Sequence, residues 1–169
     1  PDWAYGFAEF RTGQRERIAS ARLVSNPGCY PTGFLGLIAP LVAAGLLPAD
    51  WPYMVNAVSG YSGGGKALIQ RFEGDGADIG YRSYGLDLAH KHVPEMQMHA
   101  GLAHAPLFAP AVVHAFRGMI VEVPLPLSAM AAEPPATAVT PVLASMRAWA
   151  SEPRMSWRHI RWSKSTEAV

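Results

Sequence analysis

Cysteine is almost absent from this chain: 169 residues hold one, Cys29. No internal disulfide framework can form, and an intracellular, reducing setting, the cytoplasm, is expected. Net charge is almost absent too. Fourteen Lys and Arg stand against 13 Asp and Glu, a formal charge of +1. That balance makes no electrostatic case for nucleic acid, and no basic run is interleaved with aromatics. No apolar run is long and clean enough to span a bilayer. "GFLGLIAPLVAAGLLPADW" comes nearest, but prolines and glycines interrupt it. No signal peptide opens the chain, no internal repeat is present, and no G-x-G-x-x-G occurs, so the sequence carries no dinucleotide fingerprint of its own. It begins at Pro1 rather than Met and reads as a piece of something larger.

What is present suits a globular fold. Half of the residues are hydrophobic and 16% are charged, enough apolar material for one core of ordinary size. "RERIASARLV" predicts a short helix running into a strand at Leu23-Val24-Ser25. "CYPTGFLGLIAPLVAAGLL" has apolar residues at helical spacing, with a break expected near Pro40. "YMVNAVSG" favours a strand and runs into the glycine-rich "GYSGGGK", after which "KALIQRFEG" predicts a short helix. "FRGMIVEVPLPL" alternates like a strand. "EPPATA" reads as a turn, and "TPVLASMRAWASE" as a helix capped by Thr140 with Pro141 in its first turn. Strands and helices mix without regular βαβ alternation, so the expected class is α+β.

The lone cysteine sits in "SNPGCYPT". Pro27-Gly28 ends extended structure, and Pro31 fits the first turn of a helix, where its missing N–H costs nothing. Cys29 is thereby expected at a helix N-terminus. The dipole and unpaired N–H groups there favour a thiolate and can hold an oxyanion beside it. That is the setting of a thiol nucleophile. The competing reading is a buried, inert cysteine in a strand-to-helix turn.

A nucleophile needs a base, and "AHKHVPEMQMH" offers His90, His92, Glu95 and His99. On an extended segment His90 and His92 would face the same side. The segment also reads as a polar surface loop, or, less well supported, as a His-x-His-plus-acid metal site. "GYSGGGKA" nearly matches a phosphate-binding loop, with Gly60, Gly65 and Lys66 in register, but Ala67 stands where a magnesium-binding Ser or Thr is required. It also matches the G-x-S-x-G nucleophile elbow with Ser62, for which Asp87 and His92 could complete a hydrolase triad. Alternatively its backbone N–H groups cradle a phosphate or cofactor next to the thiol, or it is simply a turn.

"NPGCYPTG", then "SGYSGGGK", then "HKHVPEM", in that order, resemble N-acetyl-gamma-glutamyl-phosphate reductases of the shorter variant. "YGFAEF" and "PLFAPAVVHAFRGMIVEVPLPL" add to the likeness, which covers roughly Tyr5 to Glu152. The resemblance implies a catalytic domain like that of glyceraldehyde-3-phosphate dehydrogenase, with a mixed or antiparallel sheet packed against helices. The family's NADP-binding Rossmann domain and its closing "DNLGKGASG"-like segment are not found here. Residues 1–152 are thus expected to form the catalytic domain, and 153–169, which match nothing in the family, a divergent or truncated tail with Trp157, Ile160 and Trp162 as an edge strand.

The chemistry implied is attack of Cys29 on the acyl phosphate of N-acetylglutamyl phosphate, loss of phosphate, reduction of the thioester by hydride from NADPH, and release of the semialdehyde. By motif, His90 moves the protons. Asn26, Lys66, Lys91 and His92 are implied as substrate-binding, and Ser59, Gly60, Ser62, Gly63 and Gly64 as lying beside NADP(H). No metal, membrane or nucleic-acid partner is implied, and the full enzyme is expected to be a homo-oligomer. For Tyr5, Gly6 and Glu9 a domain-joining role is as well supported as function. A non-catalytic fragment or interaction module is the alternative reading.

Overall fold

A computed structural model describes residues 2–75 and 78–126. The chain runs β1 (Trp3–Tyr5), α1 (Gln14–Ser20), β2 (Leu23–Ser25), α2 (Cys29–Ala43), β3 (Met54–Gly60), a 3₁₀ turn (Tyr61–Gly64), α3 (Gly65–Glu73), β4 (Tyr81–Ser83), α4 (Val93–Ala100), β5 (Leu107–Val113) and β6 (Met119–Glu122). The class is α+β with a mixed sheet. The expected elements at "EPPATA", "TPVLASMRAWASE" and residues 153–169 lie outside the described residues.

The main sheet has four strands in the order β4-β5-β3-β6. β3 pairs with β5 in parallel and with β6 antiparallel, and β4 pairs with β5 antiparallel. β1 and β2 form a separate parallel pair. Side chains of one strand alternate between faces. Val55, Ala57 and Phe108 point to the face covered by α2 and α4, and join Phe34, Leu41, Tyr53 and Met96 in the core.

α2 is the central element. Gly28 precedes it in an extended conformation, and Pro31 lies in its first turn. Thr32 closes the first helical bond to the Gly28 carbonyl at 3.1 Å and doubles it with its hydroxyl at 2.8 Å. Ten of its 15 residues are buried, so it is apolar nearly all round. The break expected at Pro40 does not occur. The helix continues to Ala43, and the Ala44 amide still bonds the Pro40 carbonyl. A proline costs the helix one hydrogen bond; here Leu41, fully buried beyond it, packs only if the helix goes on. Gly33 lets α2 approach β6, because a Cβ there would lie 2.8 Å from the Val121 side chain.

Two elements escape the local pattern. β5 contains Pro110 although it is an inner strand, a place proline normally avoids. The Pro110 carbonyl accepts from the Tyr84 amide on the β4 side, and β4 pairs only with Ala111–Val113. The missing N–H therefore removes one bond only at the last rung, opposite Tyr84 just beyond β4. α4 carries Pro94 in its first turn and buries Val93, Met96 and Ala100. The segment is thus half core helix rather than wholly a polar loop.

Candidate functional site

Cys29 is the first residue of α2 and is exposed, which removes the buried, inert reading. Pro31 has no N–H, and the Thr32 amide is used within the helix. As first-turn residues, Cys29 and Tyr30 have N–H groups without intrahelical partners. The residue before them is held from across the fold. The Gly28 amide donates to Glu95 Oε1 at 2.9 Å, and the Tyr5 hydroxyl donates to the same oxygen at 2.7 Å. One carboxylate on α4 thereby ties β1 to the turn that presents the thiol.

His90 and His92 lie in the turn that enters α4, not on the extended segment anticipated; His92 itself has helical dihedrals. The turn still brings the rings together, with centroids 4.7 Å apart. The His92 amide donates to His90 Nδ1 at 3.2 Å. That bond makes Nδ1 an acceptor and assigns the neutral His90 proton to Nε2. The His92 ring lies against Gly28, where a Cβ would come within 2.7 Å of its Cδ2 and Nε2. His92 Nδ1 is buried with no hydrogen-bond partner among the described residues. Burial lowers the pKa of both histidines below the ordinary value. Lys91 adds to this at His90, and His90 and Lys91 add to it at His92, where Glu95 opposes them. Both imidazoles are therefore neutral near pH 7, the form that accepts protons.

Beneath the thiol, Tyr30 donates to Ser59 Oγ at 2.8 Å and meets the Tyr84 hydroxyl at 3.0 Å. Burial raises the pKa of both phenols above the usual tyrosine value, and the Cys29 thiolate adds to the rise in each. The thiol is thus within electrostatic reach of both hydroxyls.

The structure gathers the sequence-derived candidates unevenly. Cys29, His90, His92 and Ser59 converge through Gly28 and Tyr30. Lys91 is exposed in the same turn. The Asn26 amide oxygen is turned toward Gly6, 3.1 Å from where a Cβ would stand. Lys66 is exposed in the first turn of α3. Ser62, Gly63 and Gly64 form the 3₁₀ turn after β3. The backbone cradle expected there is partly closed: the amides of Gly60, Tyr61 and Ser62 donate to the carbonyls of Gly118, Ala115 and Phe116. Those three donors are spent on the β5–β6 connection and cannot also hold a phosphate, which counts against the nucleotide-loop reading. Among the described residues no hydrogen bond joins Ser62 to Asp87 or His92; the Asp87 carboxylate accepts from the Ala89 amide instead. The hydrolase triad is not assembled. Among the described residues no group of three or more His, Cys, Asp and Glu is arranged to hold a metal ion.

Sequence reasoning missed three contributors. Glu95 was visible only as a possible base or ligand, not as the partner of Gly28 and Tyr5. Tyr30 carried one signal, its place directly after the cysteine. Tyr84 carried none.

Residues 29–163 match the family described as semialdehyde dehydrogenase, dimerisation domain. The chain is 57% identical over 148 residues to the N-acetyl-gamma-glutamyl-phosphate reductase of Brucella ovis, a match covering 85% of this chain and 47% of that protein. The same values hold for the proteins of that name from Brucella canis and Brucella suis. The chain spans about half the length of the curated relatives it matches. On the match across most of its length, this chain belongs to the semialdehyde dehydrogenase dimerisation-domain family, within which it is similar to the N-acetyl-gamma-glutamyl-phosphate reductases.

Proposed function

We propose that these residues form the catalytic-side domain of an NADP-dependent N-acetyl-gamma-glutamyl-phosphate reductase, an enzyme of arginine biosynthesis, working in the cytoplasm as a homo-oligomer. The domain is read as resembling the catalytic domain of glyceraldehyde-3-phosphate dehydrogenase, with the cofactor held mainly by a Rossmann-type domain outside residues 1–169. The observation that carries the proposal is the exposed thiol of Cys29 at the start of α2, between Gly28, which adjoins the His92 ring, and Tyr30, whose ring stands edge-on to His90 and His92.

The Cys29 thiolate attacks the acyl carbon of N-acetylglutamyl phosphate. A C–S bond forms, the C–O bond to phosphate breaks, and phosphate leaves with the electron pair. The first-turn N–H groups of Cys29 and Tyr30 receive the carbonyl oxygen as it gains charge. His90, carrying the proton given up by the Cys29 thiol, donates it to the alkoxide that follows reduction of the thioester, and in its neutral form takes it back as the C–S bond breaks to release the semialdehyde. His92, Asn26, Lys91 and Lys66 are assigned to binding the carboxylate and phosphate of the substrate.

The glycine-rich turn fits one flank of a nicotinamide. Gly63 is exposed and has no atom nearer its Cβ position than Ser59 Oγ at 3.9 Å, so a flat ring can approach the backbone unobstructed. Ser59, Gly60, Ser62, Gly63 and Gly64 would line it. When bound, the cofactor supplies the hydride that reduces the thioester.

The test uses the full-length protein carrying these residues. NADPH oxidation dependent on N-acetylglutamyl phosphate is expected. Cys29→Ser is expected to remove nearly all of it while leaving the melting temperature within a few degrees of the parent. Iodoacetamide is expected to inactivate the parent, and acyl phosphate to protect it. A Cys29→Ser protein with normal turnover would overturn the proposal.

A further inference from the structure

Tyr30 follows the nucleophile directly, yet is only 2% exposed. A buried phenol must place its hydroxyl against partners, and this one has two, on different elements. It donates to Ser59 Oγ at 2.8 Å, one residue before the end of β3, and meets the Tyr84 hydroxyl at 3.0 Å, just after β4. The Tyr30 ring also stands edge-on to His90, His92 and Phe108, with centroids 6.2, 5.9 and 5.0 Å away. A single side chain, rooted beside the thiol, thus touches the strand that leads into the glycine-rich turn, the segment that leads to the histidines, and the histidines themselves.

The protons in this cluster can be counted. Each hydroxyl carries one hydrogen. Tyr30 gives its hydrogen to Ser59, so the contact with Tyr84 needs the Tyr84 hydrogen, and Tyr84 is the donor there. The Ser59 hydrogen then has no partner within the chain of hydroxyls and is directed out of it. Hydrogen bonds in series polarise one another in one direction, here toward Ser59. Neither phenol gives up its proton near neutral pH, because burial raises the pKa of both above the usual tyrosine value. The array is a fixed set of donors.

We propose that Tyr30 is a positioning residue for the thiol chemistry: its hydroxyl locks the first turn of α2 to the end of β3 and to the segment before His90, and it polarises the Ser59 hydroxyl as a donor to a ligand oxygen at the glycine-rich turn. The proposal rests on the acyl-transfer reading above. Its consequence is kinetic. Misplacement of a reacting group by about 1 Å can cost about 10²-fold in rate, and Tyr30 joins the thiol to its neighbours by hydrogen bonds that a phenylalanine of the same shape would lack.

The experiment compares the full-length protein with its Tyr30→Phe, Tyr84→Phe and Ser59→Ala variants and the Tyr30→Phe/Tyr84→Phe double variant. Tyr30→Phe is expected to stay folded by circular dichroism and to lose about tenfold or more in kcat, with KM for the acyl phosphate changed by less than about threefold. Tyr84→Phe is expected to lower kcat about fivefold in the parent background and less than about twofold in the Tyr30→Phe background, because the two hydroxyls act as one unit. The second-order rate of Cys29 alkylation by iodoacetamide is expected to change by at least about threefold in Tyr30→Phe. A Tyr30→Phe protein with parental kcat, or fully additive losses in the double variant, would overturn the proposal. If the parent shows no acyl-phosphate reductase activity, the functional reading falls, and the alkylation rates alone decide positioning: equal rates in parent and Tyr30→Phe overturn it. If Tyr30→Phe does not fold, Tyr84→Phe and Ser59→Ala decide, each expected to lower kcat about fivefold, and parental kcat in both overturns the proposal.

Discussion

His90 and His92 share a turn but not an environment. His90 has its Nδ1 tied to the His92 amide, so Nε2 is the ring nitrogen left for a ligand. His92 has its ring pressed on Gly28 and its Nδ1 buried without a partner among the described residues, which suits a residue that shapes the site. His90→Asn is therefore expected to lower kcat by ~10²–10⁴, the usual range for a general acid–base group. His92→Asn is expected to act more through KM. Steady-state kinetics in the full-length protein distinguish them, and the reverse pattern would exchange the two roles. Glu95 belongs to the same scale. Its carboxylate is the only described group that bonds both Gly28 and Tyr5.

At the scale of elements, the close approach of the β5–β6 connection to the end of β3 depends on one missing side chain. A Cβ on Gly60 would lie 2.6 Å from the Ala115 carbonyl oxygen and 2.7 Å from the Arg117 backbone. Backbone cannot yield as a flexible side chain can. Gly60→Ala is thus expected to cost about 1–3 kcal/mol and to loosen the three amide bonds that fasten the turn. Urea unfolding measures the first effect, and amide exchange at Gly60, Tyr61 and Ser62 the second. Gly28→Ala meets the His92 ring at 2.7 Å and Glu95 Oε2 at 3.0 Å. It is expected to lower kcat at least tenfold, by the ~1 Å misplacement argument, with a smaller loss of stability than Gly60→Ala.

Over the whole molecule, two properties emerge from sums of these parts. Burial lowers the pKa of His90, His92 and His99 below the ordinary 6.5. The unfolded chain therefore binds protons more readily than the fold in this range, and the stability these groups contribute is present above about pH 6.5 and lost as pH falls through their lower folded values. A melting temperature that drops between about pH 7.5 and about pH 5.5 is expected, and less so in His99→Gln; a flat profile would contradict the burial of these rings. The second property is the open sheet face. By the strand register, Met54, Leu107, Ile120 and Tyr81 share the face opposite α2, and they are 48, 43, 45 and 62% exposed. Apolar groups gathered on one face mark a contact surface, and the family to which the chain belongs is described as a dimerisation domain. A second copy is expected to cover it. Ile120→Asp with Met54→Asp should shift the full-length protein toward a smaller species by size-exclusion chromatography with light scattering; an unchanged mass would place the interface elsewhere.

Legibility in the sequence followed the range of the interactions. The helix start at Cys29 was readable because Gly28, Pro31 and Thr32 act within one turn, and β3 because its residues favour strands by themselves. α1, β2 and α3 were readable for the same reason. The continuation of α2 past Pro40 was not, since what holds it is the burial of Leu41 by distant residues. β5 was hidden by Pro110, whose missing N–H removes a bond only at the last rung because β4 ends where it does. In the site, the residue types of nucleophile and base could be read from short motifs. Their arrangement could not. Tyr5 meets Glu95 across 90 residues, and Tyr30 meets Tyr84 across 54. No local pattern encodes such pairs, because each hydroxyl finds its partner only after the strands and α2 have packed. The sequence by itself determined the thiol, the helix that presents it and the imidazoles near it; the tertiary structure decided which amides were already taken, which ring nitrogen keeps the proton, and which buried hydroxyls brace the turn, since these depend on desolvation and on contacts that exist only in the folded chain.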